Sequence, residues 1–143
     1  MKFDISRDFL DGIMLQHPAH ADREKDIKAN GGVHFLPSSP DGTMHTGVVS
    51  FALVSDGNEA PFAKAGWRFL FTTDEAWDPK NDQQHPFHGQ LLVHGASKII
   101  AVMNGLCLNA NMPLVPISAE SLVGQLRRRG GGQDADGASP GGN

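Results

Sequence analysis

A single cysteine, Cys107, stands among the 143 residues, so no disulfide can close within the chain. Such a chain is expected in a reducing compartment, and the cytoplasm is the location this points to. No stretch approaches the roughly 18 uninterrupted apolar residues of a transmembrane helix. The opening Met1-Lys2-Phe3-Asp4-Ile5 brings an acid early and no apolar core of signal-peptide length, so no signal peptide is expected. Charge of one sign is also scarce. A net charge of −4 invites neither a phosphate backbone nor an anionic membrane surface, so neither nucleic-acid binding nor membrane insertion is expected. The one basic run, Arg127 to Arg129, falls where a last helix would end, and cations there complement the helix dipole. No G-x-S-x-G elbow, P-loop or Rossmann glycine pattern occurs, so no hydrolase or nucleotide chemistry is indicated and no cofactor is expected.

What remains is long enough for one domain and too short for two ordinary ones. Residues 130–143, GGGQDADGASPGGN, hold no large apolar side chain and cannot bury enough surface to offset the cost of ordering. The expected organisation is a domain over 1–129 and a disordered, solubilising tail over 130–143.

Four segments read as strands. In FAKAGWRFLFT, residues 62–72, Ala63, Ala65, Trp67, Phe69 and Phe71 share one face, while Lys64, Gly66, Arg68 and Leu70 share the other. Thr46 to Ser55 is rich in β-branched residues and alternates Val49, Phe51 and Leu53 against Val48, Ala52 and Val54. The turn residues of Asp56-Gly57-Asn58-Glu59-Ala60-Pro61 should join these two as an antiparallel hairpin. Ile27 to Leu36 gives an earlier strand that stops at Pro37-Ser38-Ser39-Pro40-Asp41-Gly42. Lys2 to Gln16 reads as an edge strand with a bulge near Asp11-Gly12.

Helical periodicity takes over after a polar loop from Thr73 to His88. Between Gln90 and Cys107, Gln90, His94, Ser97, Lys98, Asn104 and Gly105 occupy an arc of roughly 120°, whereas Leu91, Leu92, Val93, Ala96, Ile99, Ile100, Val102, Met103, Leu106 and Cys107 fill roughly 200°. Covering one sheet requires about half that width. The surplus predicts a second buried surface, against another chain or a captured apolar ligand. The connector Asn109 to Ile117 carries Pro113 and Pro116 and should be extended, and Ser118 stands where an N-cap belongs, ahead of a helix from about Ala119 to Arg129 with Glu120 in its first turn. Strands followed by helices define an α+β fold: a four-stranded antiparallel sheet with a long and a short helix on one face.

Three passages in this order resemble the SecB export-chaperone family: FDISRDFLDGIMLQHP as the bulged first strand, FAKAGWRFLF as the last strand, and MPLVPISAESL, Met112 to Leu122, as the paired prolines leading into the second helix. The resemblance covers nearly the whole of residues 1–129. It implies a four-stranded antiparallel sheet, a long helix, a Pro-containing connector and a second helix. It also implies ATP-independent holding of unfolded or precursor polypeptides, and assembly as a dimer or dimer of dimers. In the family, the translocase motor ATPase is a partner through acidic residues on the outer sheet face and through the tail. Here Lys64 and Arg68 occupy that face, the tail has no counterpart, and the long helix carries His94-Gly95-Ala96 in place of the usual opening. Clients in export or in a toxin-antitoxin system are both compatible with the pattern.

A holding chaperone needs apolar grooves with a polar rim, and methionine adapts to varied guests. The candidate client groove comprises Met14, Phe62, Trp67, Met103 and Met112, and the candidate oligomer interface Phe3, Ile5, Leu92, Ile99, Ile100 and Met103. The competing classes are a non-catalytic adaptor subunit that uses the same helix only to assemble, and a histidine-based metal-binding protein. The latter rests on two HPxH units, His17-Pro18-Ala19-His20 and His85-Pro86-Phe87-His88, with His34, His45 and His94 besides, and Asp74, Asp78 and Asp82 in the preceding loop. Proline inside each unit disfavours the helical turn that would aim both rings at one ion, and no cysteine or carboxylate cluster adjoins at ligand spacing. Cys107, on the apolar arc, reads as a buried, inert thiol.

Overall fold

Alternating apolar side chains build four strands, and the sequence of pairings places them in one antiparallel sheet. The computed structural model describes residues 1–16, 27–55 and 60–136, with side chains described as far as Arg127 in the last segment. The elements are β1 (Phe3–Leu15), β2 (Ile27–Phe35), β3 (Met44–Ser55), β4 (Ala63–Thr73), α1 (Pro86–Asn109) and α2 (Ala119–Asp136). Sheet order is β1-β4-β3-β2, so β1 and β2 are the edges, and β3 and β4 form the expected hairpin. Register shifts between Ile5 and Arg7 and between Leu10 and Gly12 give β1 two bulges, the second at the expected Asp11-Gly12.

Both helices lie on the face that carries Val49, Phe51, Leu53, Phe69 and Phe71, and all five of these are buried. The helix is drawn close to the sheet by Gly95. A methyl group built there would lie 2.6 Å from Val49 Cβ, so glycine is what lets α1 cross β3. At the open end of the sheet an aromatic cluster closes the core: Phe3 stacks on Phe87 at 4.2 Å and meets Trp77 edge-on at 5.0 Å. The Trp77 indole N–H donates to Asp82 Oδ2 at 2.9 Å, which satisfies its polar edge.

Two helix boundaries differ from the sequence reading. α1 begins at Pro86 because proline fits the first helical position, where its missing N–H is no loss, and the His85 ring accepts the Phe87 N–H at 3.1 Å as N-cap. Proline in this HPxH unit therefore starts a helix where the sequence suggested it would oppose one. At the other end, α1 stops in a Schellman motif: Asn111 takes φ 56°, Met112 N–H bonds Cys107 C=O at 2.8 Å, and Asn111 N–H bonds Leu108 C=O. Ser118 caps α2 as expected, its Oγ accepting Ser121 N–H at 3.1 Å. α2 then runs through Gly130 to Asp136, past the expected stop at Arg129. Extending an existing helix requires no new nucleus.

The wide apolar arc of α1 is covered largely from inside the subunit. Leu91, Leu92, Ala96, Ile99, Ile100, Met103 and Cys107 are buried in one core with Val115, Ile117, Leu122, Val123 and Leu126 from the connector and α2. The second surface predicted from the arc is α2 and its connector, which Asn104 pins by accepting Val115 N–H at 3.0 Å. α1 is the described helix long and apolar enough to cross a membrane, and here its apolar side faces sheet and α2.

Candidate binding surfaces

The five candidate groove residues do not line one groove. Phe62 and Met103 are buried in the core, because both point into the layer between sheet and helices. Trp67 is half-buried on that same face. Its N–H donates to Asp8 Oδ1 at 2.8 Å, and the Lys98 ammonium bonds the same carboxylate and lies 5.5 Å from the Trp67 ring. Lys98 and the Trp67 N–H hold the Asp8 carboxyl below its ordinary range. Met14 pairs with Lys64 on the opposite, uncovered sheet face. Met112 is half-buried against the core.

The candidate interface is corrected in the same way. Leu92, Ile99, Ile100 and Met103 are all buried within the single subunit, and Phe3 stacks in the aromatic cluster. Ile5, on the edge strand, remains exposed. The helical wheel located an apolar face but could not tell that α2, not a neighbour, covers it.

The apolar side chains left in water lie elsewhere. Met1, Met44 and Val93 are exposed singly, whereas Leu106, 42% exposed, Leu108, 67%, and Leu114, 50%, flank the Schellman turn in sequence, with the half-buried Met112 between them. This lip is set by the turn itself. Asn111 reverses the chain, so the last turn of α1 and the first residues of the connector present leucines at one end of the helical layer. Leu106 belonged to the apolar arc in the sequence. Leu108 falls at the wheel angle of Gln90, a leucine on the polar stripe, and that mismatch is the signal that could have marked it.

Among the described residues no group of three His, Cys, Asp or Glu side chains converges. Residues His17 and His20 lie outside them. His85 spends its Nδ1 as a helix cap, Asp82 is engaged by Trp77, Asp78 accepts Lys80 N–H and the Asn81 amide, and Asp74 accepts Lys2 N–H. His45 is a satisfied core histidine. Thr73 Oγ1 donates to Glu75 C=O at 2.7 Å, so it accepts from His45 Nε2–H at 3.0 Å, which leaves His45 Nδ1 to accept Ser38 Oγ–H at 2.7 Å. Burial pushes the His45 imidazole below its ordinary pKa, and the same cause acts on His88, whose buried Nε2 has no partner. Cys107 is buried, as its place on the arc indicated.

Two further surfaces are the sheet edge at β2 and the uncovered sheet face. The edge is partly closed by Gln125 of α2, whose side-chain amide accepts Ala29 N–H at 2.9 Å and donates to Ile27 C=O at 3.2 Å. On the uncovered face a trough of about 600 Å³ runs over Val48, Ser50, Ala52 and Gly66, between His34 and Asn30 on one side and Asp11 and Met14 on the other. Compared with the models of known protein families and with curated proteins, the chain matches none of them.

Proposed function

We propose that this chain is a SecB-like holding chaperone of the cytoplasm, keeping non-native polypeptides soluble without ATP as a dimer or dimer of dimers. The observation that carries the reading is the lip of Leu106, Leu108, Met112 and Leu114. A subunit that buries Phe69, Phe71, Ile99 and Met103 completely still leaves Leu106, Leu108 and Leu114 42–67% exposed around the C-terminal end of α1 and the connector that follows it. Leucine in water is ordinary singly, but three around one helix end add up to apolar area that other chains can cover. The order of four antiparallel strands, long helix, Pro-containing connector and second helix supports the same reading, since it is the order that the sequence resemblance implies. Guests are unfolded or precursor polypeptides, whose exposed apolar segments suit a shallow leucine lip. The translocase motor is not carried into the proposal, because Lys64 and Arg68 stand on the sheet face that would meet it.

The test is suppression of aggregation. Added to an unrelated, chemically unfolded protein on dilution from denaturant, with no nucleotide present, the purified chain should reduce light scattering in proportion to its concentration. Scattering that is unchanged at a several-fold excess would overturn the proposal and leave an assembly subunit as the reading.

A further inference from the structure

One layer of this fold has no cover. Both helices lie on one face of the sheet, and the opposite face carries Phe9, Met14, Val48, Ala52, Val54 and Leu70 beneath a set of cations. Register puts Arg7, Lys28, Lys64 and Arg68 on this face, with Asp4 and Asp11 as its only carboxylates among the described strand residues. Arg68 is neutralised by Asp11 at 2.9 Å, whereas Arg7, Lys28 and Lys64 form no ion pair among the described residues. A chain of net charge −4 thus presents a cationic face.

The trough on that face has a specific shape. One rung across all four strands reads Gly12, Gly66, Ser50, Gly32. Strands spaced about 4.8 Å apart make that rung roughly 14 Å long, and the flanking rows stand about 7 Å away on either side. Glycine weakens a strand, and neither a close contact nor a positive φ requires it at these three positions, although Gly12 adjoins the second bulge of β1. A methyl group at Gly12 or Gly32 would meet nothing within 4 Å, one at Gly66 only ordinary contacts at 3.6 Å or more, and none of the three has a positive φ. Gly31 differs: its φ is 143°, and a methyl group built there would lie 2.1 Å from Ser50 O, so glycine is a backbone necessity at that position.

We propose that this uncovered face is a docking surface for an extended, acid-bearing segment of a partner protein, which crosses the strands along the glycine rung with a carboxylate on Lys64. Charge complementarity selects an acidic occupant, and the apolar flanks of Val48, Ala52 and Met14 suit a polypeptide better than a phosphate backbone. The site lies on the opposite side of the sheet from the leucine lip and does not depend on the clients held there.

The experiment is fluorescence anisotropy with the full chain and a short labelled peptide alternating glutamate and alanine, beside the same peptide with lysine for glutamate and a single-stranded oligothymidylate. The glutamate peptide should bind, more weakly as salt rises, and the other two should not. Lys64→Glu should weaken binding about tenfold or more. Gly32→Val and Gly12→Val, which enter open space, should lose binding to the same degree while the melting temperature holds or rises, an opposition of signs that misfolding cannot produce. Failure of the glutamate peptide to bind, equal binding of the oligothymidylate, or unchanged binding by the folded glycine variants would each overturn the proposal.

Discussion

Gln125 and Ala29 are joined as if Gln125 were a neighbouring strand. Its side-chain amide takes the Ala29 N–H at 2.9 Å and returns a hydrogen bond to Ile27 C=O at 3.2 Å, so α2 seals one end of an edge strand that would otherwise offer free backbone groups. Gln125→Leu keeps the volume and removes both partners. Leaving a part-buried donor and acceptor unmet should cost about 1–3 kcal/mol in urea unfolding, with the slope of the transition unchanged. An unaltered midpoint would mean that water replaces the amide without loss.

Gly95→Ala sets two effects against each other. Alanine in a helix interior gains about 1 kcal/mol over glycine, but this methyl would lie 2.6–2.8 Å from three atoms of Val49, whose branched Cβ cannot swing aside. Overpacking costs about 1–3 kcal/mol, so the variant should be destabilised on balance. Val49→Ala should rescue it in part, giving a coupling energy of about 1 kcal/mol or more in a double-mutant cycle. Additive losses would show that α1 does not meet β3 at this contact.

Acid should weaken the fold in a window set by histidine. Burial holds the folded His45 and His88 imidazoles below 6.5, while the unfolded chain protonates near that value. Above about pH 6.5 neither state binds the proton and stability is full. As pH falls the unfolded state takes up protons that the folded state refuses, so stability drops by at most about 1.4 kcal/mol per pH unit for each group until the folded imidazoles titrate. Asp8, Asp41 and Asp74, held below 3.8 by their hydrogen bonds, add their losses only at more acid pH. Urea midpoints measured from about pH 7.5 to 5 should show the fall, and His45→Gln should flatten it.

The leucine lip separates function from stability. Leu108→Glu with Leu114→Glu alters two side chains that are 67% and 50% exposed, so thermal unfolding should shift little, by roughly 0.5 kcal/mol per site. The doubly substituted protein should nevertheless lose most of its ability to keep an unfolded client from scattering light. Undiminished activity would move the guest site away from the end of α1.

Much of this architecture was legible because strands declare themselves by alternation: Val49, Phe51 and Leu53 on β3 and Phe69 and Phe71 on β4 were assigned to the core face, and all are buried. The bulge near Asp11, the Ser118 cap and the buried Cys107 were equally readable, each resting on local chemistry. The surfaces were not. Periodicity says which side of α1 is apolar but not what covers it, so Leu92, Ile99, Ile100 and Met103 were given to a neighbouring subunit when the sheet, the connector and α2 of the same subunit bury them. The glycine rung was also invisible, since it joins Gly12, Gly32, Ser50 and Gly66 only once the register of four strands is fixed.

Size-exclusion chromatography with light scattering, run on the chain alone and with a permanently unfolded polypeptide, addresses the account most directly. A single chain weighs 15.3 kDa. The account predicts a species at two or four times that mass which carries the unfolded polypeptide with it through the column. A 15.3 kDa monomer that elutes apart from the polypeptide would contradict it.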